Sequence, residues 1–356
     1  MAIITGFTGN DTRLVGTAVA DDIYGDTIGT LSGLGGNDRI FGLAGDDVIS
    51  GDGFFVGPGG RGGDDVIQGG DGDDRMYGDA RDVVYGIGGN DVLYQNGGSG
   101  RMFGDGEDIA AGGRGGNDRM FGGSYMIGDG DNDFVSAQGG NDLLDATSAT
   151  GQTNLHGETN GRMGGTAIGG NDILRGSAFR DIMSGEAYST MSGASRGGAD
   201  RMQGNGGDDE LIGDGFRMEG TAVGGDDLLR GGSGDDDLYG DARSLNDFTV
   251  GGDDQIYGGS GDDELWGDGL RNDDAVGGKD TFYFAGNFGD DEIFDFRQED
   301  GDQIVLQGLT QSEVQLSIVT VVDPDDSTLI TTLGDQSITL VGFTGGLTPG
   351  VDIVFA

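Results

Sequence analysis

The stretch GGSGDDDLYGDA, Gly231–Ala242, returns as GGSGDDELWGDG at Gly258–Gly269, a step of 27 in the numbering. A third near-copy, GGDGDDRMYGDA, begins at Gly69, and from Gly69 to Gly231 the step is six times 27. A chain that keeps one register over that distance is built of stacked repeats, and this has to be weighed before any ordinary globular fold. Of 356 residues, 81 are Gly, none is Cys, and the formal charge is −45. Without periodicity, so much Gly and charge with 34% hydrophobic residues would predict disorder. The register reverses that expectation.

Gly231–Tyr239 reads G-G-x-G-x-D-x-U-x, with U a large apolar residue, and Gly69–Tyr77 and Gly258–Trp266 match it at every position. The glycines permit a tight turn with positive φ and close backbone approach. The last three residues put one apolar side chain inward between two outward ones, as a short strand requires. A nonapeptide cannot bury U alone and must stack on its neighbours. The sixth-position Asp stands at Asp38, Asp47, Asp65, Asp74, Asp91, Asp118, Asp133, Asp142, Asp172, Asp181, Asp200, Asp209, Asp227, Asp236, Asp254, Asp263, Asp280 and Asp291. Stacked turns place these carboxylates above one another, which is unfavourable unless a cation lies between them. Calcium takes six to eight oxygens, carboxylates and backbone carbonyls included. These Asp residues are the candidate metal ligands, and Ca2+, many ions between adjacent coils, is the expected cofactor.

The motif resembles the RTX, or haemolysin-type calcium-binding, nonapeptide repeat, over nearly the whole chain. The resemblance implies a right-handed parallel β-roll, an all-β solenoid. A simple β-roll spends two nonapeptides on each coil, whereas this chain keeps a step of 27, the length of three. At that spacing one Asp column runs Asp38, Asp65, Asp91, Asp118, through Asp145 to Asp172, Asp200, Asp227, Asp254 and Asp280. The other runs Asp47, Asp74, a gap, then Asp181, Asp209, Asp236, Asp263 and Asp291. The third nonapeptide of each coil is altered and opens Gly-acid, at Asp52, Asp79, Asp105, Glu186, Asp214, Asp241 and Asp268. Val56, Val83, Met218 and Leu245 mark its apolar middle, and Leu34, Ile87, Ile168, Val223, Val250 and Val276 precede the next GG. Two architectures fit: two sheets with one long turn, which is preferred, or a three-sided coil. The Gly-acid column is then a third calcium ladder or a set of turn caps. The centre, roughly 97–160, is the most degraded, and is expected to bulge or to lose calcium on one edge.

The expected division is an imperfect N-terminal coil at 1–31, the calcium-binding solenoid at 32–296, and a C-terminal β-rich cap at 297–356. In the cap, QIVLQGL, VQLSIVTVV, STLITTL and QSITLVGF alternate like antiparallel strands. LGDQSITLVGF and VDIVFA resemble the capping and secretion region of RTX proteins.

Acidity argues against nucleic acid, which needs a basic face, and against an anionic membrane. No apolar run approaches the roughly 20 residues that span a bilayer, so no direct membrane insertion is expected. The N-terminus lacks the pattern of a cleaved signal peptide. The single His, His156, permits neither HExxH nor a His-rich zinc site. His156 is expected at a turn or on the surface. The G-x-S-x-G at Gly193–Gly197, GASRG, fits chance in so Gly-rich a chain. Glu158 and Glu186 read as alternative ligands or solvated side chains, and Met76, Met120, Met183 and Met202 as core. No catalytic residue is expected. The expected function is a secreted calcium-binding structural protein, of a Gram-negative-type bacterium, that folds outside the cell. Its partners are copies of itself in a filament or surface layer, and the type I secretion machinery implied by the resemblance. A monomeric calcium-dependent adhesin or other binding module is the alternative.

Overall fold

The computed structural model describes residues 1–272, 274–319, 327–332, 336–343 and 345–356. Parts of the expected strands VQLSIVTVV, STLITTL and LGDQSITLVGF lie outside the described residues. The chain is an all-β parallel solenoid of about ten coils with about 27 residues each.

One coil shows the path. Val48–Ser50 lies on a first face, Gly53–Val56 on a third side, Val66–Asp71 on a second face, and Arg75–Tyr77 returns to the first face. Successive coils pair in parallel, Ile49 beside Met76 on the first face and Ile40 beside Ile67 on the second. The first face belongs to a 15-stranded sheet and the second is a 13-stranded sheet. Most strands are short because one inward residue per face closes the core. Met76, Met102, Leu155, Leu211, Leu238 and Leu265 stand there on the first face, and Ile67, Leu93, Met120, Leu174, Leu229 and Ile256 on the second, all fully buried in one cluster. Each contributes about 1.5–3 kcal/mol of burial, so the core grows by two large side chains per coil.

The altered nonapeptide is a third side and not a long turn. Thr30–Leu31, Gly53–Val56, Ala80–Val84 and Gly106–Ile109 form a 4-stranded parallel sheet, and Phe134–Val135 to Leu270–Arg271 a 6-stranded one. They have their own core of Leu31, Val56, Val84, Ile109, Phe134, Met163, Met191, Met218 and Leu245. The register residue is Val84 rather than Val83, because a bulge follows Ala80. The aliphatics before each GG do not join this core. They form a ladder of isolated bridges with Arg61, Arg114, Gln138 and Arg196, and Leu34, Ile87, Ile168, Val250 and Val276 are exposed.

The centre keeps its stacking on both main faces. The third side breaks there, between Ile109 and Phe134. Past residue 296 the solenoid continues where antiparallel strands were expected. Gln303–Gln307 and Ile353–Phe355 extend the second face in parallel, because Ile304 and Leu306 fall on the inward positions below Phe282 and Phe284. Among the described residues antiparallel pairing is confined to Val314–Val319, Ser327–Thr332 and Ser337–Leu340.

Candidate metal-binding rows

The glycine turns leave three rows of acids along the solenoid. In the first, the backbone N–H of each Asp donates to Oδ1 of the Asp one coil on. Asp11, Asp38, Asp65, Asp91 and Asp118 are joined this way at 2.6 Å. Asp142, Asp172, Asp200, Asp227, Asp254, Asp280 and Asp302 follow at 2.7–3.1 Å. Oδ2 of every member from Asp38 to Asp280 is buried with no hydrogen-bond partner. The row steps through Asp142, not Asp145. One coil is 24 residues long and the next 30, so a strictly even count overshoots. Asp145 lies on the second face, where it pairs with Arg175 at 3.2 Å.

The second row lies at the opposite edge. Asp21, Asp47 and Asp74 are linked by the same bond, and Asp181, Asp209, Asp236, Asp263 and Asp291 likewise. Between these runs the strand register puts Gly100, Ser124 and Thr153 in the row. The row thus lacks carboxylates within the stretch for which a loss of calcium on one edge is expected. Gln95 fills the first gap: its buried amide Nε2 donates to the Gly72 carbonyl at 2.7 Å and to Asp74 Oδ2 at 3.2 Å. Oδ2 of Asp47, Asp209, Asp236, Asp263 and Asp291 has no partner.

The third row is Asp26, Asp52, Asp79, Asp105, Asp129, Glu158, Glu186, Asp214, Asp241 and Asp268, all buried. It faces the first row across the neck where the chain leaves for the third side and returns. Each acid accepts the N–H of the second glycine in the returning GG, Asp52 from Gly63 at 3.0 Å and Asp241 from Gly252 at 2.7 Å. Glu158 and Glu186 are therefore row members, not solvated side chains.

Burial raises many of these carboxyls above their usual range, whereas the Ala2 N–H holds Asp21 below it. Asp47 reaches about 6, Asp38, Asp200, Asp209 and Asp263 about 7, and Asp142, Asp236 and Asp291 about 8. In the third row, burial and then the next carboxylate push Asp52, Asp79 and Asp241 well above that range. A buried carboxylate with a free oxygen calls for a proton or a cation.

The donors fit calcium. A β-carbon on Gly78 would collide with Asp91 Oδ2 and the Gly104 carbonyl, and one on Gly240 with Asp254 Oδ2 and the Gly267 carbonyl. Carboxylate and carbonyl oxygens thus converge on space that only glycine leaves open. Among the described residues no three His, Cys, Asp or Glu side chains gather at one point. The set is mixed and all-oxygen, as calcium accepts and zinc does not favour.

Asp133 stands outside all rows. It is exposed before the Phe134 strand of the third side and pairs with Arg162 at 3.1 Å. Its position inside GDGDND mimics the motif, but Phe134 points into the third core. Asp11, Asp21, Asp26, Asp129 and Asp302 join the rows without a full motif; their one signal is a step of about one coil to a neighbouring acid. His156 is not at a turn. It ends a strand, is fully buried, and bonds Ser184 Oγ at 2.9 Å. Its ring lies between Tyr125 and Tyr188, and burial lowers its pKa to about 3. Ser195 of GASRG is buried with Oγ unpartnered, and His156 is engaged elsewhere. Met76, Met120, Met183 and Met202 are core.

The model of the RTX calcium-binding nonapeptide repeat matches residues 23–54, 60–80, 125–148, 166–187, 196–216, 221–242 and 249–273. No curated protein sequence matches the chain. Among solved structures, the extracellular lipase LipA from Serratia marcescens is similar at 14% identity and a TM-score of 0.21. That alignment covers 98% of this chain, which spans 40% of the lipase chain. Repeat motif, coil stacking and acid rows agree with the matched model: the chain belongs to the RTX calcium-binding nonapeptide repeat family.

Proposed function

We propose that this protein is a secreted structural scaffold that calcium folds outside the cell and that then associates with copies of itself into a filament or surface layer. The observation that carries the reading is the run of buried, unpartnered Oδ2 atoms from Asp38 to Asp280. Ionised, these atoms oppose folding. Calcium bound by the folded chain alone stabilises it by mass action. The first-row aspartates, and Asp47, Asp74, Asp181, Asp209, Asp236, Asp263 and Asp291 of the second, would hold the ions with turn carbonyls. Bound calcium supplies charge neutralisation and cross-links adjacent coils. Extracellular calcium modules have Kd on the order of 10⁻⁴–10⁻³ M, so such a chain stays open where calcium is scarce and closes where it is abundant. Export through type I secretion machinery is consistent with that switch.

Support for self-association comes from the first coil. Ile3–Thr5 and Leu14–Val15 pair on one side only among the described residues. Ile3 is 66% and Phe7 81% exposed beside them. An open strand edge accepts a further strand, and head-to-tail contact of this kind builds open polymers. Sedimentation velocity with and without calcium tests the reading. Calcium-dependent large particles are expected. A calcium-folded monomer at high concentration refutes assembly and favours a monomeric binding module, whereas a chain whose circular dichroism ignores calcium refutes the switch.

A further inference from the structure

We propose that successive acids of the third row form an additional row of divalent-cation sites, and that Arg271 closes it with a built-in cation. The inference rests on the reading that this chain binds calcium. It concerns residues outside the sixth position of the repeat.

The third row is unbroken where the second is not. It keeps an acid in every coil from Asp26 to Asp268, while the second row passes through Gly100, Ser124 and Thr153. The acid also tracks the backbone. Where the carboxyl reaches a glycine N–H 10 or 11 residues on, the residue is Asp, as at Asp79 and Asp214. Where the span is 12 residues, at Gly170 and Gly198, it is Glu158 and Glu186. The longer side chain keeps a carboxylate at the row as the loop changes. A cap for one N–H needs no charge, since Asn or Ser accepts as well. The retained charge calls for a second task.

A second oxygen is left over for it. Oδ1 of Asp52, Oδ2 of Asp129, Oε2 of Glu158 and Glu186, and Oδ2 of Asp241 are buried without a partner. Successive acids flank one small space beside the first glycine of each returning GG. A β-carbon on Gly139 would collide with Glu158 and lie 2.9 Å from the unpartnered Asp129 Oδ2, and one on Gly251 would collide with the unpartnered Asp241 Oδ2. Backbone carbonyls of the glycine turns would complete an all-oxygen set.

At the last step the chain puts its own cation in that space. A β-carbon on Gly251 would collide with Asp241 and Asp268, whereas one on Gly277, a coil later, would collide with Asp268 and the guanidinium of Arg271. The Arg271 side chain is 4% exposed and pairs with Asp268 at 3.2 Å and Asp300 at 2.5 Å. A positive group is therefore what this position accommodates.

Calcium counting on the full-length chain tests the proposal, by equilibrium dialysis and elemental analysis. Asp79→Asn/Asp105→Asn/Asp214→Asn/Asp241→Asn keeps an acceptor for each glycine N–H. It should bind about one ion fewer for each site that loses its charge, at an unchanged strand signal in saturating calcium. Arg271→Gln should bind about one ion more than the unmodified chain, a gain that misfolding cannot produce. An Asn variant with undiminished binding and an Arg271→Gln variant without a gain overturn the third row alone. An unmodified chain that binds no calcium overturns this proposal together with the calcium-folding reading.

Discussion

Acid should replace calcium. In the second row, Asp209 and Asp263 are raised from 3.8 to about 7, and Asp236 and Asp291 to about 8, with burial the leading cause. A raised carboxyl binds its proton more tightly in the folded chain than in the unfolded one. Metal-free stability is therefore present near pH 4 and is lost as pH rises through 7 to 8. One pKa unit is about 1.36 kcal/mol, so three units on a fully buried group cost about 4 kcal/mol at neutral pH. Solvent along an edge row screens much of this, and about 1 kcal/mol per carboxyl is a conservative figure. The four together then remove about 4 kcal/mol, a large part of the roughly 5–15 kcal/mol that holds a domain. Calcium should be removed by exhaustive dialysis, since chelators fail in acid, and strand content followed by far-ultraviolet circular dichroism at pH 5 and pH 8. The solution must be dilute because the isoelectric point is about 4.1. The expected result is a metal-free chain folded at pH 5, unfolded at pH 8, and restored at pH 8 by calcium. A metal-free signal that is the same at both pH values refutes the reasoning.

Three further perturbations separate the parts. Asp142→Asn should raise the calcium concentration at the folding midpoint several-fold, whereas Asp133→Asn, which loses only an exposed ion pair, should shift stability by under about 0.5 kcal/mol; calcium titrations of the two check this. Leu211→Ala, fully buried in the shared core, should cost about 2–5 kcal/mol in denaturant titrations with saturating calcium. Gln95→Ala leaves the Gly72 carbonyl and Asp74 Oδ2 without the amide and should cost about 1–3 kcal/mol in the same assay.

The repeat register carried the solenoid, the inward residue of each strand and most of the first and second rows. It did so because a glycine turn and a buried apolar residue both demand fixed spacing. What a fixed spacing cannot carry is compensation. Asp142 is displaced because a short coil is followed by a long one, and only the pairing of Leu143 with Arg119 reveals it. The third side was hard to read because its strands begin with small residues such as Gly53, Ala80 and Ala187. His156 looked exposed because its surroundings, TNLHGETNG, are polar; in the fold it packs edge-on to Tyr125 and tilted against Tyr188, rings of neighbouring coils that sequence distance hides.

The bonds along the first and second rows all point one way. Each Asp N–H reaches forward to a carboxylate of the following coil, so no coil completes its own turn. The finishing atom arrives with the layer above. In the first row the last acceptor among the described residues, Asp302, is also fastened from within, by the Arg297 N–H at 2.7 Å. Shortening the stack from its two ends is therefore unequal. Peeling from the N-terminal side removes donors and leaves carboxylates that water readily serves. Cutting at Asp302 strands the Asp280 N–H, and the fault begins at the layer on which all earlier layers close.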